Sequence, residues 1–188
     1  GPFGNPIEIK KEGFVAFVAD GLGVADILPA VRAFKLVGNK VLTFMGAPNK
    51  SQLILQSQMR LASYKIFMAT QDGSWERKGL ASSALADYLK KEKVDLVYTA
   101  GSPELMQAVA EATREKGIKT LARLNPVMFD GTGVCGSCRV TVGAVVETFQ
   151  PTTPLVHVAY KYNQEETGHA TSGVSSSLGV KNSDPAPT

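Results

Sequence analysis

Residues 14–45, FVAFVADGLGVADILPAVRAFKLVGNKVLTFM, hold a complete strand–turn–helix–strand unit. The run FVAFVA (14–19) is apolar at every position, as expected for a strand buried on both faces of a parallel sheet. A turn with two glycines, Gly21 and Gly23, follows. Then VADILPAVRAFKLVG (24–38) carries apolar residues at helical spacing up to a stop at Gly38, and KVLTFM (40–45) reads as the next strand. Two apolar strands joined by a helix within about thirty residues form a right-handed βαβ unit.

The alternation continues. KSQLILQSQMRLA (50–62) reads as helix, KIFMAT (65–70) as strand, LASSALADYLKKE (80–92) as helix and VDLVYTA (94–100) as strand. PELMQAVAEATREKG (103–117) is a helix with Pro103 at its start and Gly117 after its end, and IKTLARL (118–124) is a last strand. The fold class is therefore α/β, a five-stranded parallel doubly wound sheet. From Asn125 the pattern changes to a Gly-rich loop and a short hairpin-like alternation around Gly143, a small subdomain that holds both cysteines. LVHVAYKY (155–162) offers one further strand, and the last twenty or so residues, rich in Ser, Gly, Thr and Pro, read as an irregular tail, disordered or ordered by a partner.

Composition excludes several classes. At 188 residues and 44% hydrophobic the chain can bury one good core. A net charge of +3 is too mild to argue for nucleic acid or a membrane surface. No window approaches the ~20 apolar residues of a transmembrane helix, and GPFGNPIEIKKEG at the start has no apolar core of a secretory signal. Two cysteines give no disulfide framework and favour a reducing compartment, cytoplasm or an organelle matrix.

Three loops follow the carboxyl ends of strands, where open α/β sheets bind ligands. In the first turn, Gly21, Gly23 and Val24 suit a phosphate cradle, since glycines admit a close backbone approach and a helix N-terminus offers free N–H groups. Asp20 does not suit it, because a carboxylate repels pyrophosphate; the residue reads instead as a helix cap. Asp72, Gly73 and Ser74 follow the third strand, and Gly101, Ser102 and Pro103 the fourth. Ordinary turn chemistry is the competing account of both. Lys50 is either a ribose or phosphate contact or a solvated lysine, and Trp75 reads as a half-buried packing residue.

Cys135-x-x-Cys138 raises a different question, because clusters and structural zinc sites need about four ligands. A thioredoxin-type dithiol would open a helix in the first βαβ unit, whereas this pair lies in a Gly-rich loop far along the chain. His157 and His169 stand outside the compact motif, so zinc is not expected.

Several phrases resemble the ferredoxin–NADP reductase family: GPFGNPIEIKKEG (1–13), TQDGSWERKG (70–79), LVYTAGSPELMQAVAE (96–111) and above all LNPVMFDGTGVCGSCRVTVG (124–143). The resemblance is to the branch with the dihydroorotate dehydrogenase electron-transfer subunit and the small subunit of NADH-dependent reduced ferredoxin:NADP oxidoreductase. It covers about four-fifths of the chain. It implies a linker from a flavin barrel over 1–13, an NAD(P)-binding-like domain over 14–124, an iron–sulfur-type motif over 125–150 and a tail over 151–188. It also implies NAD(P), a 2Fe-2S cluster and FAD, the flavin held mainly by a barrel outside these residues. Asp72, Gly73, Ser74, Gly101, Ser102 and Pro103 would border the nicotinamide. Asp130, Cys135 and Cys138 match three cluster ligands, and Gln150 stands where the family has a further cysteine. Ala19 and Asp20 replace two glycines of the family's nucleotide turn, and Asp26 replaces a proline.

The function so implied is a component of a flavin/iron–sulfur oxidoreductase that passes electrons between a nicotinamide cofactor and an iron–sulfur carrier, not active alone. The alternative is a non-catalytic accessory subunit derived from such a reductase. Its partners would be a flavin-domain or larger oxidoreductase subunit, with another protein surface meeting the tail.

Overall fold

The computed structural model describes residues 7–124 and the strands Arg139–Val142, Val145–Thr148 and Ala159–Lys161. Strands β1 (Phe14–Asp20), β2 (Lys40–Ala47), β3 (Lys65–Thr70), β5 (Leu96–Ala100) and β6 (Lys119–Arg123) are the five expected from the apolar runs. They lie parallel in the order β3-β2-β1-β5-β6. Among the described residues the sheet has seven strands rather than five, because two short ones flank it: β4 (Arg77–Lys78) beside β3, and β9 (Ala159–Lys161) beside β6. β7 (Arg139–Val142) and β8 (Val145–Thr148) form a separate antiparallel pair about positions 143 and 144. The chain divides into two compact units, one of Glu8–Arg123 with Tyr160–Asn163 and the other of Gly1–Ile7, Leu124–Ala159 and Gln164–Thr188.

β1 is the central strand, and its residues from Val15 to Ala19 are fully buried. Alternate residues serve opposite faces. On one face Phe17 packs between Phe34 of α1 (Gly23–Leu36) and Tyr98 of β5, with ring centroids 5.6 and 5.2 Å apart. On the other, Ala16 and Val18 join Leu42, Phe44 and Val97 beneath α3 (Ala81–Leu89) and α4 (Pro103–Arg114), which supply Leu85 and Val109. Each large side chain buried this way contributes about 1.5–3 kcal/mol. Buried Asn39 fixes the approach to β1: its side-chain oxygen accepts from the Glu12 and Gly13 N–H groups, and its NH2 donates to the Lys10 and Phe34 carbonyls.

The single helix expected over 50–62 is instead one 3-10 turn, Lys50–Gln52, and a helix α2 (Gln56–Ala62). Leu53, Ile54 and Leu55 stand consecutively, so no single helical stripe can bury all three. Leu53 is buried ahead of the break, Met59 and Ala62 after it, and Leu55 takes a left-handed φ of 54° between them. At the β4 edge, the Glu76 carboxylate accepts from the Met68 N–H at 3.2 Å and pairs with Arg60 at 3.0 Å. Among the described residues no helix is long and apolar enough to cross a membrane.

Candidate functional site

Winding runs from β1 to β2 and β3, then jumps back to β5 on the other side of β1. The carboxyl ends of β1 and β5 are therefore a topological switch point, the place where open α/β sheets leave a crevice for ligands. Two turns border it: residues 20–23 lead from β1 into α1, and residues 101–102 lead from β5 into α4.

The α1 side is open. Gly21 has φ +49°, and a β-carbon built there would meet nothing within 4 Å. Leu22 is 82% exposed, and among the described residues no side chain caps the N-terminus of α1. Gly23 has the opposite surroundings: a β-carbon would stand 2.5 Å from the Ala100 carbonyl oxygen and 2.8 Å from the Gly101 Cα. The helix start thus lies directly on the end of β5, which only glycine allows. Val24 is buried beneath this turn.

The α4 side is occupied. Ser102 is the N-cap of α4, its hydroxyl oxygen accepting from the Leu105 N–H at 3.3 Å, with Pro103 in the first helical turn. Asp20 does not cap α1, as the sequence reading expected, but reaches across to α4. Its carboxylate accepts the Ser102 N–H at 2.7 Å and the Ser102 hydroxyl at 2.6 Å. Its partner is 82 residues away in sequence, a pairing that no local pattern marks. Hydrogen bonds to an ionised group contribute about 1.5–3 kcal/mol each when shielded, and less at a half-exposed site. Gly101, at φ +135°, makes room for this contact, since a β-carbon there would collide with the Asp20 carboxylate. Asp26, in the first turn of α1, is ion-paired with Arg123 at the end of β6, and burial lowers the Arg123 pKa from its usual value.

Asp72, Gly73 and Ser74 follow β3, two strands from β1 on the side away from β5. The ends of β3 and β5 stand three strand spacings apart, roughly 14 Å, with β2 and β1 between them. The β3 loop is joined instead to the end of β2: the Ser74 hydroxyl accepts the Lys50 N–H at 2.8 Å, and the Asp72 N–H donates to the Pro48 carbonyl at 3.2 Å. Hydrogen bonds from the Ser74 hydroxyl and N–H hold the Asp72 carboxyl below the usual carboxylate range. The Lys50 ammonium rests 3.9 Å from the centre of the half-buried Trp75 ring, a cation–π pair that sequence reading treated as two separate residues.

Asp130, Cys135 and Cys138, together with Gln150, lie outside the described residues. Among the described residues no group of three or more His, Cys, Asp or Glu side chains is placed to hold a metal.

No protein-family model matches the chain. It is 37% identical over 147 residues to the dihydroorotate dehydrogenase B (NAD(+)) electron transfer subunit homolog of Thermotoga maritima, an alignment covering 78% of this chain and 52% of that protein. A probable subunit of the same name from Methanopyrus kandleri is 32% identical, over 78% of this chain and 55% of the relative. The solved structure of an NADH-dependent reduced ferredoxin-NADP oxidoreductase superposes with a TM-score of 0.75 at 31% identity, over 86% of this chain and 56% of that one. The chain is thus similar to these electron-transfer subunits and to this oxidoreductase over 78% to 86% of its own length. It spans about half the length of the curated relatives it matches. Their likeness agrees with the fold expected from the alternating strands and helices, and with the family seen in the four quoted phrases.

Proposed function

We propose that this chain is the nicotinamide-nucleotide-binding component of a flavin- and iron–sulfur-dependent oxidoreductase, passing electrons between NAD(P)H and an iron–sulfur carrier. The observation that carries the reading is the switch point between β1 and β5, with an uncapped helix α1 and an open Gly21 on one side of it. A dinucleotide pyrophosphate fits there, against the N-terminus of α1, because that helix start has no side-chain cap and presents a positive dipole end, although the Val24, Ala25 and Asp26 N–H groups already turn back to the Gly21 and Leu22 carbonyls. Gly23 and Val24 set that turn in place. The Gly101–Pro103 turn lies on the β5 side of the phosphates, and Lys50 with Asp72, Gly73 and Ser74 on the β2–β3 side. With the two loops on opposite sides of β1, one half of the dinucleotide falls to each: the nicotinamide to Gly101, Ser102 and Pro103, the other ribose to Lys50 and Asp72.

A bound nicotinamide would supply hydride chemistry; the chain's share is to orient it and shape the local field. Flavin would be held by a domain outside these 188 residues, on this protein or a partner. Asp130, Cys135 and Cys138 would give a 2Fe-2S cluster one carboxylate and two thiolates, oxygen and sulfur donors that iron accepts. The domain limits that go with this reading are a linker to 13, a nucleotide domain 14–124 to whose sheet Ala159–Lys161 adds an edge strand, a cluster motif 125–150 and a partner-meeting tail from 151.

Titration with NADH and NADPH, read by Trp75 fluorescence and calorimetry, tests the nucleotide part. Saturable binding with a dissociation constant below ~1 mM is expected; no response at several millimolar overturns it. Iron and sulfide analysis of anaerobically purified protein tests the cluster, and a colourless, iron-free protein rejects it.

A second reading, an accessory subunit without catalysis, is favoured by one observation: the Asp20 carboxylate stands inside the crevice. Loss of nucleotide binding with retained assembly onto an oxidoreductase partner would select this reading.

A further inference from the structure

The N-terminus of α4 already holds an anion. Asp20 receives both the backbone N–H and the hydroxyl of Ser102, the cap residue of that helix. These donors, with the helix dipole behind them, are what a helix start offers to a phosphate or carboxylate ligand. Gly101 gives the carboxylate its space, because any β-carbon there would occupy the same volume. The charge is not neutralised locally: among the described residues Asp20 forms no ion pair, whereas Asp26, on the neighbouring first turn, is paired with Arg123. Meanwhile the adjacent helix start, that of α1, has no side-chain cap and opens beside Gly21, one residue from Asp20.

We propose that Asp20 is a built-in competitor of the nucleotide phosphates: it fills the α4 anion position and sets a fixed negative charge beside the one that α1 leaves open. The inference rests on the nucleotide-binding reading above and deepens it, since Asp20 then determines how strongly the crevice holds a dinucleotide. Its action is electrostatic and local. Neutralising the side chain while keeping its shape frees the field at α1 without disturbing the strand end, and an asparagine oxygen can still accept the Ser102 N–H. Repulsion between charges near the surface is also screened by salt, whereas steric blocking is not.

The test is calorimetric titration of the full chain with NADH, comparing the native protein with Asp20→Asn and, as a second smaller replacement, Asp20→Ser, each checked for folding by circular dichroism. Asp20→Asn is expected to bind NADH at least tenfold more tightly at ~25 mM salt, about 1.4 kcal/mol, with the gain shrinking below threefold at ~0.5 M salt. Equal affinity of native and variant proteins overturns the inference and leaves the nucleotide reading standing. Failure of all three to bind at millimolar NADH overturns both. A gain that does not change with salt also overturns it, by making the effect steric.

Discussion

The starts of α1 and α4 lie at the same switch point and face the same crevice, yet they are built in opposite ways. Among the described residues the first has no side-chain cap, an exposed Leu22 and a left-handed Gly21 where a β-carbon would meet nothing within 4 Å. The second is capped by Ser102, begins with Pro103 and receives the Asp20 carboxylate from the neighbouring strand β1. A helix end capped and bridged by side chains of its own chain contributes stability; one without a side-chain cap, its dipole end facing solvent, is available for a ligand. The contrast therefore divides the crevice into a structural half and a binding half, and it can be broken residue by residue.

The largest effect belongs to the place where the halves touch. Gly23→Ala puts a β-carbon 2.5 Å from the Ala100 carbonyl oxygen, where backbone, not a flexible side chain, must give way. A loss of about 3 kcal/mol is expected, at the upper end of ordinary overpacking, measured by urea unfolding. A loss below ~1 kcal/mol would mean that α1 does not rest on β5. Ser102→Ala comes next. It removes the α4 cap and one of the two donors to Asp20, and a loss of about 2 kcal/mol is expected, with the melting temperature as the readout. Gly21→Ala should cost about 1 kcal/mol, only the left-handed backbone penalty, because its surroundings are open. If it costs as much as Gly23→Ala, the two ends of the turn are not different.

The smallest effect lies outside both helix starts and serves as their control. Arg77 and Lys90, pairing with Asp87, hold its carboxyl down to about 2. A folded pKa below the unfolded value stabilises the protein above about pH 4 and loses that contribution as pH falls toward 2. Because the groups are exposed, the change is small. The urea midpoint of the native protein should fall slightly more than that of Asp87→Asn between pH 5 and pH 2.5, while NADH binding at pH 7 is the same for both. Parallel pH curves would show that the ion pairs carry no stability.

Much of the architecture was legible because it is local. Apolar runs such as FVAFVA and LVYTA marked the strands, Pro103 and Gly117 bracketed α4, and glycines at 21 and 23 marked the turn. The α2 break was not legible, since three consecutive apolar residues match a helical pattern as well as a bend. Nor was β4, two charged residues held by Glu76 and by pairing with Ala69 and Thr70. At the site, the residue types pointed to the right turns, but the decisive contacts are long-range. Asp20 with Ser102, and Asp26 with Arg123, join residues some 80 to 100 positions apart, and no periodicity encodes such a pairing. A carboxylate next to a glycine turn could be read as a misfit; only the fold shows which donors it takes.

Amide chemical-shift mapping during an NADH titration tests the central claim most directly. The account predicts that the largest shifts fall on Gly21, Leu22, Gly23 and Val24 at the start of α1, with smaller ones on Gly101 and Ser102. Shifts centred elsewhere, for example on the surface cavity of about 480 Å³ beside Phe67, Arg77 and Tyr88, or none at all at millimolar NADH, would contradict it.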